Sequence, residues 1–209
     1  MEFVYSPCSS LTASFLFHMK GRLMPAPCKF PTGTTGAFTQ SGFQVPEKVF
    51  LDKATYDAAM KSIVKSCVDV GFWVRLGGIP HVVIGKRKIL PQKDWWVWGG
   101  RMTHADEDFH ATACRKLGEE IGLSLPKDRL PPEPNFLNYY RWADDGSAVM
   151  APMFVVELSK AEVDQLYANL ASSPEYSEIA VVNPTQILAK SDQYHGAVVR
   201  LTQHIAALS

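Results

Sequence analysis

The chain has 209 residues, with 21 lysines and arginines set against 21 aspartates and glutamates. This length fits one domain with a modest extension and needs no disulfide to bury an adequate core, while zero net charge supplies no general field for nucleic acid or an anionic membrane. No stretch approaches the ~20 consecutive apolar residues of a transmembrane helix, so any phosphate-bearing ligand has to be held by a local site.

Residues 1–45 carry Pro, Gly, Ser and Thr without a helix or strand period, which reads as a loosely ordered extension ahead of a domain over residues 46–209. The opening run resembles a signal peptide only superficially: Glu2 replaces the basic start, and Ser, Thr and His18 break the apolar stretch. Cys8, Cys28, Cys67 and Cys114 show neither CxxC pairs nor zinc spacing, which points to reduced thiols in a cytoplasmic protein. Tyr56, Met60 and Ile63 have helical spacing, and with Asp52 placed as cap they predict a helix over 52–65. Strands at 67–76 and 81–86 follow, joined as a hairpin at Gly77-Gly78.

A short aromatic strand at 95–98 ends at Gly99-Gly100; strict alternation places Trp96 and Trp98 on one face and Trp95 on the other. The next helix, over 107–121, closes on Gly122 as its C-cap. A second hairpin joins strands at 135–142 and 148–158 through Ala143-Asp144-Asp145-Gly146. Ser159 caps a helix over 160–170, a strand follows at 179–182, and a terminal amphipathic helix over 192–208 puts Val198, Leu201, Ile205 and Leu208 on one face. Mixed strands flanked by three helices give an α/β/α sandwich.

The chemistry concentrates in residues 99–123, GGRMTHADEDFHATACRKLGEEIGL. On a helix, His110, Ala113, Leu117 and Ile121 fall on one apolar face, and Asp108, Arg115, Glu119 and Glu120 on the other side with Lys116 beside them. Adjacent carboxylates at a helix end, facing a Gly-Gly turn, offer the oxygen donors that Mg²⁺ or Mn²⁺ prefers. Lys86, Arg87 and Lys88 form a short basic cluster suited to a diphosphate.

This segment resembles the Nudix box, G-x5-E-x7-R-E-U-x-E-E-x-G-U with U a bulky aliphatic residue. Arg115, Leu117, Glu119, Glu120, Gly122 and Leu123 match in register, and Glu107 stands the right distance before Arg115. The resemblance implies a Nudix-type α/β/α fold and a divalent-metal hydrolase of nucleoside diphosphate derivatives. Two departures stand out: Lys116 occupies the position of the glutamate after the arginine, and one additional residue lengthens the loop between Gly100 and Glu107.

The run VVIGKRKILPQKDWWVWGGR, preceded by CVDVGFWV, is similar to the GDP-mannose mannosyl hydrolase branch of that superfamily, in which the sugar carbon to oxygen bond breaks and leaves GDP. Carried over by position, Glu119, Glu120 and the Gly99 carbonyl hold Mg²⁺ or Mn²⁺; Arg87, Arg101 and Arg115 meet the diphosphate or order the site; Asp69 seats the nucleotide sugar. The branch's histidine base does not carry over, because Met150, Ala151 and Pro152 occupy that strand. His104, Asp144 and Asp145 are the remaining candidates for a base.

The leading expectation is a Mg²⁺-dependent hydrolase of a nucleoside diphosphate-linked small molecule such as a nucleotide sugar. The competing expectation is a Nudix domain that binds a nucleotide or a protein partner without turnover, since Lys116 and the missing histidine are what loss of catalysis looks like. Processing of RNA ends lacks the basic surface it needs. A homodimer is compatible with either expectation.

Overall fold

The computed structural model describes residues 18–19, 22–23, 51–89, 94–141 and 147–208. The chain divides into two units, Met1–Gly36 and Ala37–Ser209. In the first, β1 (His18–Met19) pairs antiparallel with β2 (Arg22–Leu23). The rest of the expected extension, Cys8 and Cys28, and the expected turn with Asp144 and Asp145 lie outside the described residues.

Among the described residues of the second unit the first element is α1 (Lys53–Ser62), capped by Asp52, whose carboxylate accepts from the Thr55 amide. The helix ends three residues earlier than the apolar spacing predicts. Ile63 is already extended and Val64 is paired to Ala148, so the sheet ladder takes over from the helix. The strand β3 (Val64–Leu76) turns at Gly77 and Gly78, both at positive φ, into β4 (Ile79–Arg87).

Next come β5 (Trp95–Trp96), β6 (Trp98–Arg101), α2 (Phe109–Ile121), β7 (Phe136–Arg141), β8 (Ala148–Leu158), α3 (Lys160–Asn169), β9 (Tyr176–Val182), α4 (Pro184–Leu188) and α5 (Gly196–Ala206). Asp108 caps α2 by accepting from the Ala111 amide, and Gly122 ends it in the left-handed region at φ 62°. Ser159 and Glu162 cap α3 reciprocally. The terminal helix starts at Gly196 rather than near 192, because His195 is extended and its ring accepts from the Ala197 amide; Leu208 falls beyond the helix and is exposed. The short helix α4, unmarked by any period in the sequence, starts on an Asn183 cap with Pro184 in its first turn.

β3 is the axis of a seven-stranded mixed sheet. It pairs in parallel with β8 along one edge. On the other edge it pairs antiparallel with β6 through Cys67–Val70 and with β4 through Phe72–Leu76. β7 extends the sheet beyond β8, while β5 and β9 both pair with β4.

Alternation along β3 sends Val68, Val70, Phe72 and Val74 into one core with Ala113, Leu117 and Ile121 of α2 and Val163 and Leu166 of α3. The opposite core joins Trp73, Val82, Ile84 and Met153 to Ile187 of α4 and Val198, Leu201 and Ile205 of α5. α5 approaches so closely that a Cβ on Gly71 would meet the Leu201 side chain at 2.4 Å. Helices therefore cover both faces of the sheet, as the α/β/α reading of the sequence requires.

Trp96 and Trp98 lie in different cores, against the expectation that they share a face. Val97 belongs to neither strand. The chain leaves β4 after Trp96 and joins β3 at Trp98, so the two-residue period is broken between them. Trp98 is fully buried against Phe72 and Tyr176, which makes it a core residue.

Candidate functional site

Where the sheet divides between β3, β4 and β6, a cavity of about 230 Å³ opens beside the end of α2. Its wall brings together four cationic side chains, Lys65, Arg87, Arg101 and Lys116, and three acidic ones, Asp69, Glu120 and Glu175. Gly99 and Gly100 form one side, and Cys67, Trp96, Tyr140 and Val149 complete the lining.

Gly99 has φ 132°, and a Cβ there would come within 2.0 Å of the Val68 carbonyl oxygen, so this turn admits only glycine. Its amide donates to Glu120 Oε2 at 3.3 Å. Glu120 is 1% exposed, although the helix wheel groups it with the outward charges. Burial pushes its carboxyl above the ordinary range, with Lys116 pulling the other way and Glu175 adding to the rise. Lys116 Nζ stands 2.9 Å from Glu120 Oε1, 3.3 Å from Glu119 Oε2 and 3.8 Å from Glu175 Oε1. The Tyr176 hydroxyl donates to the Val97 carbonyl at 2.7 Å and lies 3.4 Å from Glu120 Oε2.

Arg87 enters the same cluster from the end of β4. Its guanidinium pairs with Glu175, and its buried Nε has no acceptor among the described residues. The flanking lysines are committed elsewhere: Lys86 pairs with Glu178 and Lys88 donates to the Ser173 carbonyl. Only Arg87 of the expected basic cluster lines the cavity.

Asp69, on β3 opposite Gly99, is 3% exposed. Burial raises its carboxyl to about 7; the amide of Asn138, 3.5 Å away, works against that rise and the charge of Glu120 adds to it. A carboxyl so placed carries a proton near neutral pH. Burial likewise pushes the neighbouring Cys67 thiol up to about 11, so it stays protonated; Cys67 and Cys114 are both free thiols.

The outer side of α2 is built differently. Arg115 donates from Nε and one terminal nitrogen to both oxygens of Asp106, at 2.8 and 2.7 Å, and to the Arg101 carbonyl at 2.9 Å. Its other terminal nitrogen meets both oxygens of Glu119 at 3.1 Å. Hydrogen bonds from Arg115 hold Asp106 well below the usual carboxylate range. Arg115 thus ties the loop after β6 to α2 and orders the site without lining the cavity. Asp106 also accepts from the Thr103 amide and hydroxyl, closing the loop on itself, and His104 within it is exposed and lines no part of the cavity. The Arg101 guanidinium lies over the Tyr56 ring of α1 at 5.5 Å and donates to its hydroxyl. Glu107, matched to the box by position, is an exposed partner of Lys127.

Neither a family model nor a curated relative matches the sequence. Solved structures do. An Ap4A hydrolase from C. elegans, in a binary complex, aligns over 69% of this chain and 97% of its own, with a TM-score of 0.51 at 14% identity. A MutT protein from Methanosarcina mazei Go1 gives 0.48 at 15% identity over 69% and 94%, and a NUDIX hydrolase from Nitrosomonas europaea 0.47 at 14% over 70% and 90%. The chain has the Nudix-type α/β/α fold.

In this Nudix-type fold, Asp69, Arg87, Arg101, Gly99 and Glu120 line one cavity. Glu119, Arg115 and His104 do not join them there. Glu119 is adjacent to Glu120 in sequence, yet its side chain is 51% exposed and faces Arg115, because 100° of helix rotation carries one residue to the sheet and leaves the other outside. Sequence reasoning missed Lys65, Tyr140 and Glu175. Lys65 falls in the span whose spacing predicts a helix, and Glu175 precedes a strand that begins at Tyr176 rather than at 179; nothing local marks either as part of a site.

Proposed function

We propose that this domain hydrolyses a small molecule carrying a nucleoside diphosphate, such as a nucleotide sugar, in the cavity beside α2. The observation that carries the proposal is the convergence of Lys65, Arg87, Arg101 and Lys116 on one cavity in a chain of zero net charge. Such a cluster suits the charge of a diphosphate and stabilises the further charge that develops on it as a leaving group. Arg87, whose buried Nε has no acceptor among the described residues, supplies a fixed donor. Asp69 is the wall carboxyl able to take or give a proton near neutral pH.

The sequence resemblance implies Mg²⁺ or Mn²⁺ on Glu119, Glu120 and the Gly99 carbonyl. A divalent ion of this kind needs near-octahedral oxygens at about 2.0–2.1 Å. The space between these carboxylates holds the Lys116 ammonium, and no group of three or more acidic, histidine or cysteine side chains forms a metal shell among the described residues. The donors as placed do not fit the ion while Lys116 stays, and no step of the hydrolysis is assigned to it. The same lysine favours a second reading, a domain that holds a nucleoside diphosphate without cleaving it.

Turnover separates the two. The purified chain is incubated with nucleoside diphosphate sugars, dinucleoside polyphosphates including Ap4A, and nucleoside triphosphates, with and without Mg²⁺, and products are identified. Cleavage that is lost in Arg87→Ala supports the hydrolase; binding of a nucleoside diphosphate without cleavage of any member of the panel supports the second reading. Reaction in ¹⁸O-labelled water then tells attack at phosphorus from attack at the sugar carbon.

A further inference from the structure

Lys116 is more than a helix-surface partner of Glu120. An exposed i, i+4 pair leaves both side chains in water, whereas the Lys116 side chain is 15% exposed and Glu120 is 1% exposed. The stem of Lys116 lies over Gly100, where a Cβ would come within 2.6 Å of the Lys116 Cε. Glycine at that position leaves the lysine its path inward. At the end of that path Nζ meets carboxylates from two separate parts of the chain, Glu119 and Glu120 on α2 and Glu175 ahead of β9.

Glu120 is buried and Glu175 mostly so, and carboxylates that converge out of water require a cation; the chain supplies one by a covalent tether. We propose that Lys116 is the resident cation of this acidic cluster, and that the cavity binds the diphosphate of its ligand without Mg²⁺ or Mn²⁺. A metal entering the cluster would have to expel the ammonium and accept a like charge beside it. The assignment of the ligand rests on the reading of the cavity as a diphosphate site; the assignment of the cation does not.

Mn²⁺ alone is therefore the first probe, titrated into the full chain and followed by the electron paramagnetic resonance of the free ion. Wild-type protein leaves the signal undiminished. Lys116→Glu removes the tethered charge, adds an oxygen donor, and gains Mn²⁺ affinity on the scale of one such change around a metal, about 10–100-fold. Thermal melting with and without Mn²⁺ gives a second measure, with the metal raising the Tm of the variant and not that of the wild type. Should Lys116→Glu not fold, Lys116→Gln removes the charge while keeping a carbonyl oxygen and is expected to gain affinity in the same direction. Stoichiometric Mn²⁺ uptake by wild type, abolished by Glu120→Gln, would overturn the proposal, as would a folded Lys116→Glu or Lys116→Gln that takes up no more Mn²⁺ than wild type. GDP, measured calorimetrically in EDTA and in Mg²⁺, is expected to bind wild type equally in both; binding only with Mg²⁺ also overturns the proposal. If GDP binds in neither buffer, the diphosphate reading of the cavity fails, and the Mn²⁺ result still decides which cation the acidic cluster holds.

Discussion

The two sides of α2 carry similar charges in opposite settings. On the outer side, Arg115, Asp106 and Glu119 form an ion network open to water at Glu119. On the inner side, Lys116, Glu120 and Glu175 meet at the wall of a cavity with Glu120 closed off from solvent. Charges in water contribute little when paired and lose little when separated, whereas a charge taken out of water depends on its partner. The same six-residue stretch, with Arg115-Lys116 at one end and Glu119-Glu120 at the other, therefore serves as a brace outside and as part of a cavity wall inside.

The sharpest way to break the contrast is to remove one inner partner. Lys116→Ala leaves Glu120 buried beside Glu175 without its ammonium and is expected to destabilise the fold by about 3–5 kcal/mol, read from urea denaturation. Pairing Lys116→Met with Glu120→Leu is expected to recover most of that loss, and a double-mutant cycle measures the coupling. A loss no larger than that of an outer substitution would show that the inner pair is solvated after all.

The outer brace has one buried member, Asp106, whose side chain is 5% exposed. Asp106→Asn weakens its charge-assisted bonds to Arg115 and is expected to cost about 2 kcal/mol. Because Arg115 does not line the cavity, nucleotide affinity is expected to change less than stability does. A fall in affinity that outruns the fall in stability would place Arg115 in contact with ligand.

The two sides also answer to pH with opposite sign. Asp69, raised by burial to about 7 from an ordinary 3.8, contributes stability that is fully present below pH 3.8 and lost as pH rises through about 7. Asp106, held low by Arg115, contributes stability present above 3.8 and lost as pH falls through its depressed value. Melting temperature followed across this range is expected to lose its decline toward pH 7 in Asp69→Asn and to lose part of its acid-side fall in Asp106→Asn. Parallel curves for wild type and Asp69→Asn would mean that the carboxyl is not isolated from water.

The smallest effect belongs to Glu119, with its side chain half in solvent between Arg115 and Lys116. Glu119→Ala is expected to change stability by less than about 1 kcal/mol. The comparison with Lys116→Ala, one helical turn earlier, isolates burial as the cause.

Local chemistry made much of the fold legible in advance. Asp52 and Ser159 announce helix starts by side-chain capping, Gly77-Gly78 a hairpin, and Gly122 a helix end, because each acts within a few residues of itself. The spacing of Arg115, Glu119, Glu120 and Gly122 marked the helix of the site and the Nudix resemblance with it. Tertiary structure alone decided which way those residues face. Trp96 and Trp98 separate because the chain changes partner strands at Val97, an event set by β3 and β4 rather than by the tryptophans. Glu119 and Glu120 part because the sheet lies along one side of α2, and Glu175 reaches Lys116 from 59 residues away only because β9 returns beside β4. Sequence fixes which charges a segment carries through interactions of a few residues' range; the burial that gives a charge its chemical value is a property of distant segments packing together.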